Sequence, residues 1–101
     1  MPQSKIWSAF LRQRTVSTDT RKIQQGDIFF ALKGDNFDGN RFAAKALLDG
    51  AGFVVVDDPE IVPAGDERYI LVKNGLLALQ ELARQFRETF EIPILAITGS
   101  N

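Results

Sequence analysis

No cysteine and no histidine occur among the 101 residues, which excludes thiol nucleophiles, disulfides, the usual zinc sites and any imidazole proton relay. Any chemistry must run on carboxylates, lysine or hydroxyls. Long apolar runs are missing as well: uninterrupted stretches reach about five residues where a bilayer span needs roughly twenty, and Met1-Pro2-Gln3-Ser4-Lys5 has no signal-peptide pattern. The expectation is a soluble, cytoplasmic chain without membrane insertion. Excess positive charge is lacking too, because 12 Lys and Arg face 13 Asp and Glu for a net charge of −1. That balance argues against a nucleic-acid partner. What the chain does have is 45% hydrophobic residues, enough for one modest core.

Charge is unevenly spread. Residues 1–34 carry six basic and two acidic side chains, whereas residues 35–101 carry six basic and eleven acidic ones, so an anionic small molecule would be steered toward the N-terminal third. Scatter over a solvated surface is the plainer alternative.

Hydrophobic spacing predicts strands alternating with helices. A helix is expected from Ser4, its possible N-cap, to Gln13, with Ile6, Trp7, Phe10 and Leu11 on one face. Strands follow at Thr15–Thr18, Ile28–Leu32, Phe53–Val56 and Tyr69–Val72. Asn40 is expected to cap a helix over Arg41–Leu48, and Asn74 a long helix to about Phe90 with Leu76, Leu79, Ala83, Phe86 and Phe90 inward. Pro93 should end that helix and open a last strand, Ile94-Leu95-Ala96-Ile97. The fold class expected is α/β, a small sheet with parallel pairs flanked by helices.

Three constellations could carry chemistry. Ser17-Thr18-Asp19-Thr20-Arg21 offers hydroxyls and a guanidinium of the kind a diphosphate needs, although an Asp19–Arg21 ion pair closing a turn explains it equally. Lys33 through Asn40, with Gly34 and Gly39, could turn backbone N–H groups toward a ligand or simply connect two elements. Asp57-Asp58, after a buried strand, reads as a solvated turn rather than a magnesium site, since no second acidic pair accompanies it. At the end of the chain, Thr98-Gly99-Ser100-Asn101 follows the last apolar run and stops where a phosphate-binding loop would continue with Gly-Lys-Ser/Thr. The expectation is a nucleotide site cut in its middle, which should not bind ATP by itself.

Taken together, Ser17–Arg21, Gln25–Gly34, Asn36–Phe42 and Ala96–Asn101 resemble, in order and spacing, the N-terminal domain of the Mur ligase family. Phe29-Phe30-Ala31-Leu32-Lys33-Gly34 with Phe37-Asp38-Gly39, and Ile97-Thr98-Gly99-Ser100-Asn101, look most like the members that add D-Ala-D-Ala to UDP-MurNAc-tripeptide in peptidoglycan synthesis. Sister enzymes that add the third peptide residue share the layout. A free-standing, non-catalytic α/β binding module is the reading from another class.

The resemblance implies a recognition domain over residues 1–93 and, over 94–101, the first strand and partial phosphate loop of a central ATPase domain. It implies a parent ligase that uses ATP and Mg2+ to make an acyl phosphate for attack by an amine. Catalytic and metal-binding residues would lie outside this chain. The same resemblance places Thr18, Thr20, Arg21, Asp35, Asn36 and Phe37 around the UDP end of the substrate, and Thr98, Gly99, Ser100 and Asn101 at ATP. Many relatives carry His where Asn40 stands, so the resemblance assigns no ligand contact to Asn40.

Overall fold

The computed structural model describes residues 2–13, 15–34 and 37–98. Elements run in the order α1 (Pro2–Gln13), β1 (Val16–Ser17), β2 (Ile28–Phe30), β3 (Lys33–Gly34), β4 (Phe37–Asp38), α2 (Ala43–Leu48), β5 (Phe53–Val56), β6 (Tyr69–Leu71) and α3 (Gly75–Thr98). Short 3₁₀ turns follow β1, β4 and β5. The strands β1, β2, β5 and β6 pair in that order, all parallel, while β3 and β4 form a separate antiparallel hairpin. The expected parallel α/β sheet is therefore present.

Period-two alternation divides the core between the two faces of the sheet. Ile28, Phe30, Val55 and Ile70 pack with Ile6 and Ala9 of α1 and with Ala78 and Leu82 of α3. Phe29, Val54, Val56 and Tyr69 pack on the other face with Ala43 and Ala46 of α2. Trp7 stacks on Phe10 at 6.0 Å and Phe10 meets Phe86 edge-on at 5.8 Å, joining α1 to α3. Gly50, at φ 116°, ends α2 in the left-handed region that favours glycine.

Several sequence expectations need correction. Helix α1 starts at Pro2, so Ser4 lies inside it. Asn40 caps no helix: Asp38 accepts the Asn40 N–H at 3.0 Å and caps a 3₁₀ turn over Gly39–Phe42, and α2 begins only at Ala43. Asn74 does cap α3, its Oδ1 accepting the Leu77 N–H at 3.0 Å. The buried stripe of α3 is Gly75, Ala78 and Leu82, with Leu79 and Phe86 half-buried, while Leu76 and Ala83 face solvent.

The stretch Ile94–Ile97 is helical, since α3 runs through Pro93 to Thr98. A helix closes its own backbone hydrogen bonds, whereas a strand needs a neighbour, and no described strand pairs with this stretch. Pro93 cannot donate to the Thr89 carbonyl one turn back, which weakens the helix there without ending it.

Candidate functional site

Because the four sheet strands are parallel, the turns that follow them gather at one edge. Polar groups collect there. After β1, the chain turns at Asp19, whose carboxylate accepts the Arg21 backbone N–H at 2.9 Å and caps the 3₁₀ turn Thr20–Lys22. The same carboxylate accepts Arg21 Nε at 3.1 Å and Nη2 at 2.9 Å. The Asp19–Arg21 ion pair that the sequence offered as the alternative is thus present. Hydrogen bonds from the Arg21 side chain, then from its backbone N–H, hold the Asp19 carboxyl down at about 2.

The ion pair does not close the corner. Thr18, Asp19, Thr20 and Arg21 line a cavity of about 630 Å³ together with Phe29, Phe42 and Lys45. The Arg21 side chain is 86% exposed. Thr18, Thr20 and Arg21 are brought together as the sequence led one to expect. Phe42 and Lys45 were not foreseen: Lys45 sits in a run of small and apolar residues and pairs with Asp49 at 2.7 Å, which reads as an ordinary helical surface pair. Only the packing of α2 on the sheet face that carries Phe29 reveals that it shares a cavity with the β1 turn.

The other expected wall is partly described. Phe37 lies in β4, paired with Gly34, which puts its backbone in the hairpin that follows β2. Asp35 and Asn36 lie outside the described residues, as do Gly99, Ser100 and Asn101. Thr98 ends α3 instead of opening a loop after a strand. For the Mg2+ implied by the resemblance, no group of three or more metal-ligating side chains occurs among the described residues, so no step is derived through it.

Asp57 is not the solvated residue expected. Its side chain is 14% exposed, and its two oxygens accept from Asn40 Nδ2 at 2.8 Å and from the Gly75 N–H at 3.3 Å. Asn40 is 2% exposed and also donates to Asp38 at 2.8 Å, which lowers the Asp38 pKa. These bonds tie the base of the β3–β4 hairpin to the end of β5 and the start of α3.

A larger hollow of about 690 Å³ lies along the start of α3, lined by Gln3, Val72, Lys73, Leu77 and Arg84 among others. None of the candidate site residues lines it, and it shares no lining residue with the cavity at the β1 turn. Among the described residues, no helix is long and apolar enough to cross a membrane.

A parallel sheet covered on both faces, with polar turns collected at its carboxyl edge, defines the class: an α/β domain with its loops gathered beyond the strand ends. Residues 13–87 match the family described as "Mur ligase family, catalytic domain". The chain belongs to the Mur ligase family, and its fold is that of the N-terminal domain of MurF ligases.

It is 41% identical over 90 residues to the UDP-N-acetylmuramoyl-tripeptide--D-alanyl-D-alanine ligase of Synechocystis sp., a match covering 89% of this chain and 20% of that protein. The Bacillus subtilis protein of the same name is 38% identical over 86 residues, covering 85% of this chain and 19% of its own length. The MurF ligase from Thermotoga maritima in complex with ADP superposes with a TM-score of 0.69 at 30% identity, over 79% of this chain and 18% of that one. The chain thus spans about a fifth of the relatives it matches.

Proposed function

We propose that this chain is the substrate-recognition domain of a cytoplasmic, ATP-dependent ligase of peptidoglycan synthesis, and that it holds the UDP end of UDP-MurNAc-tripeptide while D-Ala-D-Ala is added elsewhere. One observation carries the reading: Thr18, Thr20 and Arg21, with two hydroxyls and a guanidinium among their side chains, line one cavity whose lining also includes Phe29 and Phe42. That division suits a nucleoside diphosphate, with apolar surface for the base and donors for ribose and phosphate. The β3–β4 hairpin, with Asp35, Asn36 and Phe37, is assigned as the second wall. Thr98 to Asn101 are assigned to the ATP phosphates, and transfer chemistry to parts of the ligase beyond this chain.

The test has two arms. Titration of this chain with UDP-MurNAc-tripeptide, followed by amide NMR, should shift Thr18–Arg21, and Arg21→Ala should weaken binding by about tenfold to a hundredfold, as expected for a hydrogen bond to a charged group. Shifts confined to other regions would overturn the assignment. In the ligase that carries this chain, phosphate release from ATP should require D-Ala-D-Ala. A second reading has its own support, since a UDP-N-acetylmuramoyl-L-alanyl-D-glutamate--2,6-diaminopimelate ligase of Geobacter sulfurreducens is 40% identical over 85 residues. Release driven by diaminopimelate instead would select it.

A further inference from the structure

We propose that Lys45 is a second phosphate-binding cation of this cavity, one that leaves Asp49 to reach the ligand while Arg21 stays with Asp19. The inference rests on the UDP-binding reading above and adds a residue and a competition to it.

The two cations reach the same cavity from different elements, Arg21 from the turn after β1 and Lys45 from α2. Their carboxylate partners differ in kind. Asp19 lines the cavity and makes three anchored contacts with Arg21, through the backbone N–H, Nε and Nη2, while capping the turn. Moving the Arg21 side chain away would break its Nε and Nη2 bonds to Asp19 together, while the backbone cap would remain. Nη1 is left over, and it can meet a phosphate without breaking any of those bonds.

Lys45 is held far more loosely. Its ion pair among the described residues is an exposed i,i+4 contact to Asp49, with side chains 58% and 35% accessible. Lysine on the N-terminal side of its acid is the weaker order for such a pair, and exposed pairs of this type contribute little to folding. Asp49 itself is not among the cavity-lining residues. A diphosphate in the cavity carries more charge than one carboxylate and offers several acceptors, so it should take the ammonium group from Asp49. The arrangement gives one fixed planar donor and one mobile point charge, with Asp49 as a resident competitor.

That competition fixes the sign of an otherwise unexpected effect, namely that removing an acidic residue outside the cavity should tighten binding. Calorimetry or NMR titration of this chain with UDP, and with uridine as the probe lacking phosphate, tests it. Lys45→Ala should weaken UDP at least fivefold and leave uridine unchanged, Lys45→Arg should retain UDP, and Asp49→Asn should strengthen UDP by twofold or more. Unaltered thermal melting of each variant shows that the fold is kept. UDP affinity indifferent to Lys45→Ala, or not raised by Asp49→Asn, overturns the inference and leaves the UDP site standing. Failure of the parent chain to bind either UDP or UDP-MurNAc-tripeptide overturns both.

Discussion

Asn40 and Asp57 hold each other reciprocally: Asn40 Nδ2 donates to the Asp57 carboxylate at 2.8 Å, and Asn40 Oδ1 accepts the Asp57 backbone N–H at 3.0 Å. The side chains are 17 residues apart in sequence, so the pair closes the segment that contains α2 and β5. Asn40→Ala would leave a part-buried N–H and two carboxylates short of their donor, a loss of about 2–3 kcal/mol. Urea unfolding should show it as a lowered midpoint at constant slope. Asn40→Asp should be worse at neutral pH, since it sets a third carboxylate between Asp38 and Asp57, and should recover as the pH falls and the new carboxyl protonates. A variant equally stable at pH 4 and pH 7 would show that the electrostatic part is absent.

Two glycines close the same corner by proximity. A Cβ on Gly39 would lie 2.7 Å from the Leu32 backbone N and O, and one on Gly75 would lie 2.8 Å from the Ala31 carbonyl oxygen. Those contacts are to backbone of a central strand end, which cannot swing aside as a side chain would. Gly39→Ala and Gly75→Ala should each cost about 1–3 kcal/mol. Gly65 supplies the contrast, with φ at +81° and no atom within 4 Å of its Cβ position. Gly65→Ala should cost only about 1 kcal/mol, the backbone strain alone. Calorimetric melting of the three variants decides the order.

How much was legible depended on how local the signal was. Three apolar runs, Ile28–Leu32, Phe53–Val56 and Tyr69–Val72, announced the sheet because β-branched and aromatic residues at strand length have few other uses, and the Asn74 cap was visible because capping is read over three residues. The Asp19–Arg21 pair that closes the turn after β1 was legible for the same reason. Asn40 misled because an Asn before an apolar helical pattern is a good cap by local rules, while its actual partner, Asp57, is supplied by a distant strand end. Lys45 was invisible on the same ground: a cavity between two elements has no signature in either one. Pro93 shows the opposite limit, where a strong local breaker did not decide the element.

The face of α3 that the sequence misjudged by one position yields its own test. Leu76, Leu79, Ala83 and Phe86 fit a three-and-four spacing as well as Ala78, Leu82 and Phe86 do, and periodicity alone cannot choose between stripes one residue apart. Leu82 is 3% exposed among Ile6, Phe30 and Val55, whereas Leu76 is 51% exposed. Leu82→Ala should therefore cost about 2–5 kcal/mol and Leu76→Ala under about 1 kcal/mol. Equal costs in urea titration would mean that the helix sits in the other register.

Acid titration examines the Asp19–Arg21 corner directly. The Asp19 pKa lies near 2 against an ordinary 3.8, chiefly because the Arg21 side chain donates to the ionised carboxylate and secondarily because the Arg21 backbone N–H does. A folded-state pKa below the unfolded one means that the native corner binds fewer protons between those values. Its stabilising effect is complete above about pH 4 and disappears as the pH falls toward 2. Carboxyl carbon NMR should place the Asp19 midpoint near 2. In Arg21→Ala the midpoint should move up but stop short of the ordinary value, because the backbone donor at position 21 remains. An unmoved midpoint would show that the guanidinium is not what holds the carboxylate, and a full return would show that the turn itself had opened.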